Sequence, residues 1–201
     1  MNIFLLALII GTGLISYKGF TDSFFFRKYE FHVGSIRAGE QIRMFTSGFL
    51  HVDWMHFGFN MLTLYFFAPV VIQNFGEWSF LSIYFGSMIA GSLLTLYLHK
   101  EDYYYRAVGA SGAVTGIIYA SILLYPDMTL YLFFAIPIPG YIFGIGYLLY
   151  SIYGAGAISV PRNIYINSEP QEKEQLEQWL GSLGGSRVEI KVPQRGEKAE
   201  L

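Results

Sequence analysis

The chain has 201 residues, of which 53% are hydrophobic and only 14% are charged, and its mean hydropathy is +0.40. A soluble domain of this size carries nearly twice that share of charged residues, so the composition excludes an ordinary soluble domain. The net charge of −2 gives no argument for a nucleic-acid partner, and the absence of cysteine excludes disulfides and thiolate chemistry.

Five apolar segments have about the length needed to cross a bilayer, which takes about 20 residues. They are residues 3–17, 55–72, 79–98, 107–125 and 128–152. The first could be the core of a signal peptide, but no basic residue precedes it and no small-x-small site follows it. Pro137 and Pro139 predict a kink in the last helix. The pattern predicts an all-α membrane protein with about five transmembrane helices.

The connection between the first two spans, residues 18–50, mixes aromatic and basic residues. Because such side chains suit the headgroup layer, we expect this connection to lie in the membrane surface rather than in water. With five spans, this connection, residues 99–106 and the tail fall on one side, and together they hold all thirteen Lys and Arg. The positive-inside rule would make that side cytoplasmic.

The second span carries polar residues at its start, in the pattern His51-x4-His56-x3-Asn60. Polar groups inside the bilayer are costly and are candidates for function by default. They also serve as hydrogen bonds between membrane helices. Zinc, held by two histidines and Asp53, is a further alternative, but histidine pairs that bind metal on one helix lie four residues apart, not five. We therefore expect no metal.

A step of small residues, Gly109-Ala110-Ser111-Gly112, opens the fourth span. A serine with room on both sides can be a nucleophile if a nearby group takes its proton and donors await the oxyanion. The alternative is structural, because membrane helices use small residues where they pack closely. These residues alone do not decide between the two.

Residues 43–61 (RMFTSGFLHVDWMHFGFNM), followed by residues 109–112 (GASG), resemble the rhomboid intramembrane serine proteases. The resemblance extends from the first connection to about residue 154, and the two motifs occur in the right order on the right spans. It implies a helical bundle with a water-filled cavity, which needs no cofactor and cleaves the transmembrane segments of other membrane proteins. The implied setting is the lipid bilayer, and we expect the bacterial inner (plasma) membrane.

The resemblance also implies roles for individual residues. Ser111 would be the nucleophile, and His56 and Asn60, with the Ser111 backbone N–H, would hold the oxyanion. Four further residues would support this site, namely Gly109, Gly112, Arg43 and His51. The family orientation puts the long first connection outside, whereas the positive-inside rule puts it on the cytoplasmic side. We follow the family, because a membrane-embedded connection is not a free loop in the sense of that rule.

The chain departs from the family at the catalytic base. Rhomboid proteases use a histidine on a sixth span, whereas all four histidines here precede Ser111 and no apolar segment follows residue 152. A serine without a base is a poor nucleophile, so we expect impaired proteolysis. The loss of the sixth span is also expected to open the face of Gly112 and Gly116 to water and lipid.

Smaller departures are Ile42, where the family usually has tryptophan, and Ala68 and Ile72, which replace a glycine and a glutamate. Two other functions stay open. One is a catalytically inactive rhomboid-like protein that binds transmembrane segments. The other is a small channel or transporter with His51, His56 and Asn60 along its path, but no repeated half supports it.

The tail is polar and predicts a helix over residues 169–183, ended by Gly184 and Gly185, and a strand over residues 187–192. Residues 161–166 (PRNIYI) and 188–201 (VEIKVPQRGEKAEL) resemble a fragment of excinuclease C, a DNA repair nuclease. The fragment has no acidic metal-binding cluster, so no DNA cleavage is implied. We expect a truncated rhomboid domain over residues 1–154 and a short α/β-like tail over 155–201 that is not an independent domain and buries no core.

Overall fold

The computed structural model describes residues 2–132, 136–149, 163–165, 173–184 and 187–192. The chain divides into two compact units, Met1–Pro126 and Asp127–Leu201. In the first unit the helices are α1 (Ile3–Thr21), α2 (Ser23–Tyr29), α3 (Val33–Arg37), α4 (Arg43–Thr46), α5 (Trp54–Phe75), α6 (Glu77–Leu98) and α7 (Ser111–Leu124). A 3₁₀ turn, Ser47–Phe49, follows α4, and two short strands are β1 (Phe31–His32) and β2 (Arg106–Ala107).

Three of the described helices, α1, α5 and α6, are long and apolar enough to cross a membrane. The first three predicted spans are therefore confirmed as helices, and each extends a few residues beyond its predicted bounds. The fourth, α7, is an apolar helix of only 14 residues. The described first unit is thus a membrane-type bundle of four apolar helices.

Local capping sets where the long helices begin and end. The Asp53 carboxylate accepts from the His56 backbone N–H at 2.7 Å and so caps the start of α5. Gly76, with φ of +83°, ends α5 and begins α6, a conformation that glycine adopts without a Cβ penalty. The Asn2 side chain caps α1 and donates to Glu77 at 2.5 Å, which ties the start of α1 to the start of α6.

Helix α7 packs against both α5 and α6, and this contact forms the centre of the bundle. Its buried residues are Ala113, Val114, Ile117, Ile118, Ser121 and Ile122. The Ser121 hydroxyl is near the Phe67 carbonyl of α5 at 3.3 Å and the Ile117 carbonyl of its own helix at 2.9 Å. Tyr125, just after α7, donates to Asn74 of α5 at 3.1 Å. The short helix therefore has polar contacts to α5 near its far end.

The connection between α1 and α5 is folded rather than irregular. Its strand β1 pairs antiparallel with β2, with Phe31 opposite Ala107 and His32 opposite Arg106. A small apolar cluster forms beneath this pairing from Phe31, Val33 and Ile36, with Met44, Leu96, Tyr105 and Ala107 against it. The pairing joins the first connection to the segment that leads into Ser111. The location of this connection in the membrane surface stays a prediction.

The predicted fifth span, residues 128–152, is wrong as a single kinked helix. Strands β3 (Thr129–Leu132) and β4 (Ile136–Pro139) form an antiparallel hairpin, and α8 (Gly140–Leu149) follows it. Pro137 and Pro139 explain the difference, because each lacks an N–H and disfavours the helical conformation of the residue before it. In a strand, alternate prolines can both lie where no ladder bond is needed. Residues 133–135 and 150–152 of this prediction lie outside the described part.

The tail contains a β–α–β unit, with β5 (Asn163–Tyr165), α9 (Lys173–Gly184) and β6 (Glu189–Lys191), in which the two strands are parallel. The predicted helix and strand are confirmed within the described residues, and residues 169–172 lie outside them. Ile164 and Leu176 pack against a buried cluster of Leu180, Val188 and Ile190. The expectation that these fragments bury no core is therefore wrong, although the core is small. That the tail is not an independent domain stays a prediction.

Candidate active site

The segment between β2 and Ser111 is held by backbone hydrogen bonds. Gly109 has φ of +127°, in the region that favours glycine, and its N–H donates to the Ser47 carbonyl at 3.0 Å. The next N–H, of Ala110, donates to Nε2 of His51 at 3.5 Å. Ser111 then begins α7 with its side chain exposed. The chain is thus fixed by its neighbours immediately before the candidate nucleophile.

His51 is fully buried and links three parts of the bundle. Its Nδ1 lies 2.9 Å from Ser16 Oγ on α1, and that hydroxyl donates to the Phe49 carbonyl at 2.9 Å. Since the serine proton is used there, we assign the proton on the ring to Nδ1, so Nε2 accepts from Ala110. Burial first, and then the nearby charge of His56, lowers the pKa of His51 to about 4. His51 is therefore a neutral structural link with no free nitrogen.

This link predicts a loss of stability in weak acid. In the unfolded chain His51 titrates near 6.5, whereas its pKa in the folded chain is about 4. Between these values the unfolded state binds more protons, so the free energy of unfolding falls as the pH drops through that window. Thermal unfolding in detergent measures this. A His51→Gln variant, which does not titrate there, is expected to be less stable at neutral pH and to have a flatter pH profile; equal slopes would contradict the assignment.

His56 lies against the segment that precedes the serine. Its ring is 4.9 Å from the His51 ring in an edge-on arrangement. A Cβ placed on Gly109 would be 2.7 Å from Cε1 and 2.8 Å from Nε2 of His56. Glycine is thus required at position 109 by its φ angle and by this close approach. The structure brings His56 next to the backbone two residues before Ser111.

Asn60 is buried one turn after His56 on α5. Its side-chain Nδ2 donates to the His56 carbonyl at 3.0 Å, so the two residues share one face of the helix, as the spacing predicts. That Ser111, His56 and Asn60 meet in one cavity and hold an oxyanion stays a prediction.

The face of Gly112 and Gly116 is a contact between helices. A Cβ placed on Gly112 would lie 3.7 Å from the carbonyl oxygen of Ser87 on α6. A Cβ placed on Gly91 of α6 would lie 3.6 Å from the Cα of Gly112. A Cβ on Gly116 would overlap Oγ and Cβ of Ser87. The expectation that this face is open is therefore wrong at Gly116, where α6 packs against it, whereas Gly112 remains exposed. Small residues allow this close packing.

Arg43 joins parts of the first connection to one another. It is buried, and its Nη1 donates to the carbonyls of Arg27 at 2.7 Å and Glu30 at 3.1 Å. Its Nε donates to the Glu40 carboxylate at 2.5 Å. The guanidinium fork thus satisfies backbone carbonyls where α2 ends. That Arg43 supports the catalytic site stays a prediction.

Glu30 and Arg106 form a second link that the sequence reasoning missed. The Glu30 carboxylate is buried and accepts from Nη1 of Arg106, the first residue of β2. Arg27 lies 3.7 Å from the same carboxylate. The partners are 76 residues apart in the chain, so no local spacing could have indicated the pair. It joins the end of α2 to the strand that leads toward Ser111.

The Glu30 link predicts a loss of stability on removing its charge. Glu30→Gln is expected to lower the free energy of unfolding by about 1–2 kcal/mol, because a buried carboxylate that accepts from arginine loses a charge-assisted hydrogen bond. Chemical or thermal unfolding in detergent measures the change. Glu101→Gln is the matched control, since Glu101 is exposed. Equal effects of the two substitutions would contradict the role given to Glu30.

The other two histidines have local contacts of their own. Nδ1 of His32 lies 2.9 Å from the Ser35 hydroxyl, and the His99 ring stacks on Tyr105 at 3.7 Å. Within the residues that the structure describes, no group of three or more His, Asp or Glu could hold a metal ion.

Residues 38–168 match the family model for the Rhomboid domain, which is more than half of the chain. The chain belongs to the rhomboid family. It is 30% identical over 146 residues to RHOMBOID-like protein 12, mitochondrial, of Arabidopsis thaliana, an alignment that covers 65% of this chain and 44% of that protein. It is also 35% identical over 103 residues to Rhomboid protein 1, mitochondrial, of Saccharomyces cerevisiae, covering 50% of this chain and 30% of that protein.

The tail of this rhomboid family member matches a different family. Residues 145–201 match the model for the UvrC Ribonuclease H-like domain. The chain is 48% identical over 60 residues to the UvrABC system protein C of Renibacterium salmoninarum, covering 28% of this chain and 9% of that protein. The chain thus spans less than half the length of the curated relatives named here. Both resemblances given by the sequence are confirmed.

Proposed function

We propose that the rhomboid domain is an intramembrane serine endopeptidase whose catalysis is impaired in this chain. Ser111 is the nucleophile, His56 and Asn60 are oxyanion donors, and the substrates are transmembrane segments of other membrane proteins. The observation that carries the proposal is the packing of the His56 ring against Gly109, beside the start of the serine helix. Membership of the rhomboid family supports it.

The chemistry requires donors near the serine. Ser111 begins α7, and among the described residues no side chain caps that helix, so its first backbone N–H groups can serve as donors. In the reaction Ser111 Oγ attacks the scissile carbonyl and forms a tetrahedral intermediate, whose oxyanion is held by the N–H groups with His56 and Asn60. The intermediate collapses to the acyl-enzyme as the C–N bond breaks and the protonated amine leaves, and water then hydrolyses the acyl-enzyme to release the acid and free Ser111. One well-placed donor of this kind is worth about 3–4 kcal/mol in the transition state.

The proton transfer is the impaired step. The serine proton must pass to a base and then to the leaving amine. His51 has both nitrogens engaged, with Ser16 and Ala110. His56 would act as an oxyanion donor and so lie on the wrong side of the carbonyl to take the proton.

A fluorophosphonate probe tests the proposal on the purified chain in detergent. We expect slow labelling that disappears in Ser111→Ala, at a rate about 10³-fold or more below that of an active rhomboid protease. His56→Ala is expected to slow it further by about 10²-fold. Labelling that is indifferent to both substitutions would contradict the proposed site. Labelling as fast as that of the active enzyme would contradict the proposed impairment.

Both ring nitrogens of His51 are engaged in hydrogen bonds, so His51 is not free to act as a base. This favours a second candidate function, that of a rhomboid-like protein that binds transmembrane segments without cleaving them. This function needs the bundle but no base. Its signature is capture of a transmembrane segment by the reconstituted chain that is unchanged in Ser111→Ala, with no labelling of Ser111 after long exposure. Loss of capture in Ser111→Ala would count against it.

For the membrane we propose the bacterial inner (plasma) membrane. The resemblance of the tail to a bacterial UvrABC system protein C supports a bacterial chain, whereas the two rhomboid relatives named above are mitochondrial. Expression in a bacterium followed by separation of inner and outer membranes tests the location. Recovery in the outer membrane or the soluble fraction would contradict it.

A further inference from the structure

One end of the bundle carries an exposed patch of aromatic and basic side chains. We define it by six residues where α1 ends, α2 lies and α5 begins, namely Tyr17, Lys18, Phe24, Arg27, Lys28 and Trp54. Tyr17, Phe24 and Trp54 are 56%, 78% and 57% exposed. Large rings at the ends of apolar helices are typical of the membrane–water interface.

The basic groups of the patch lie beside its rings. Lys18 Nζ is 5.9 Å from the centre of the Phe25 ring, and Lys28 Nζ is 5.4 Å from that of Tyr29. The centre of the Trp54 ring lies 4.9 Å from that of the Phe20 ring on α1. Aromatic contacts therefore continue from the end of α1 to the start of α5, with cations along α2.

The charge of the patch is only partly compensated. Lys18 pairs with Asp22 at 3.0 Å, but the Glu30 carboxylate near Arg27 is buried and already bonded to Arg106. The Arg27 side chain is 66% exposed, and Lys28 is exposed as well. Asp22 is the one accessible carboxylate that the described contacts place on the patch cations, and Asp53 is exposed beside Trp54. Three cations thus face two carboxylates, and a net positive charge remains.

The opposite end of the bundle has no Lys or Arg among the described residues of the first unit. All Lys and Arg among residues 2–126 lie in the connections at the patch end or beside them, namely Lys18, Arg27, Lys28, Arg37, Arg43, Lys100 and Arg106. At the other end, Trp78 is 74% exposed next to Glu77, which begins α6. Helix α5, roughly 33 Å long, separates Trp54 from that end.

We propose that the patch binds the headgroups of anionic phospholipids in the membrane that holds the chain. The rings occupy the level of the glycerol backbone and the upper acyl chains, and the cations of α2 attract the lipid phosphates. Charge complementarity selects an anionic surface over a zwitterionic one. This inference does not depend on the proposed protease activity.

Quenching of a single tryptophan by brominated lipids tests the proposal in the full chain, reconstituted in vesicles. One variant keeps Trp54 (Trp78→Phe, Trp179→Phe) and the other keeps Trp78 (Trp54→Phe, Trp179→Phe). Comparing brominated phosphatidylglycerol with brominated phosphatidylcholine gives the relative binding constant at each end. We expect a preference for phosphatidylglycerol of about threefold or more at Trp54, weakened by salt, and none at Trp78.

Charge substitutions locate the preference on the patch. Arg27→Gln with Lys28→Gln is expected to reduce the ratio at Trp54 by at least half, whereas Lys100→Gln, at the same end but outside the patch, leaves it unchanged. Equal ratios at the two tryptophans would overturn the proposal, and this comparison stands even if the double substitution fails to fold. A Trp54 that neither lipid quenches would overturn it in favour of a protein covering the patch.

Discussion

Replacing residues 127–201 by the fifth and sixth spans of an active rhomboid protease is expected to raise Ser111-dependent fluorophosphonate labelling by about 10³–10⁴-fold. The physical reason is that the sixth span brings a histidine able to take the serine proton, a role that none of the described histidines is proposed to fill. The fifth span must be replaced too, because residues 129–132 and 136–139 pair as antiparallel strands rather than forming a membrane helix. The substituted part begins where the second compact unit begins.

Two controls separate the base from the added packing. The same replacement with the new histidine changed to alanine should stabilise the bundle equally but leave labelling slow, and Ser111→Ala should abolish labelling in both. A restored chain that stays silent would contradict the missing base as the cause. The low activity would then be due to one of the smaller departures from the family, at Ile42, Ala68 or Ile72.

Gly116→Ala is expected to lower the free energy of unfolding by about 2–3 kcal/mol, although alanine is the better helix former. The new methyl group would overlap the Cβ of Ser87, which no rotation of the serine side chain can move, so α6 and α7 must separate. Thermal unfolding in detergent measures the loss. Because Ser111 begins the displaced helix, its labelling should slow as well.

The matched control is Gly86→Ala, on α6 next to Ser87, where a Cβ would have no neighbour within 4 Å. That change should be neutral or stabilising by up to about 1 kcal/mol. Adding Ser87→Gly to Gly116→Ala removes the overlapping Cβ and should recover part of the loss. Equal effects of Gly116→Ala and Gly86→Ala would show that the helices are not in close contact there.

The sequence by itself determined the class of the protein and its family. Apolar segments of span length can satisfy their backbone polar groups only as helices or closed barrels, so residues 3–17, 55–72 and 79–98 could be predicted as helices. The spacing of His56 and Asn60 placed both on one helix face for the same local reason. Motif order carried the family resemblance, and the family match confirms it.

Secondary structure was predicted wrongly or incompletely where two local patterns favour different structures or where strand pairing depends on distant residues. Hydropathy favoured a helix over residues 128–152, but prolines at alternate positions remove backbone donors and constrain the preceding residues, so the hairpin forms instead. In the tail, alternation predicted one strand. Its parallel partner lies before the connecting helix, and such a pairing depends on contacts distant in sequence.

Only the tertiary structure decided how the candidate site is supported. In the sequence, His51 is recognisable only as a polar residue near a helix start. In the structure it is buried and forms a neutral hydrogen-bonded link between Ser16 and Ala110. Glu30 and Arg106 give no signal in the sequence and meet only because β1 pairs with β2. Hydrogen bonds between residues tens of positions apart depend on how the helices and strands pack, which no local spacing encodes.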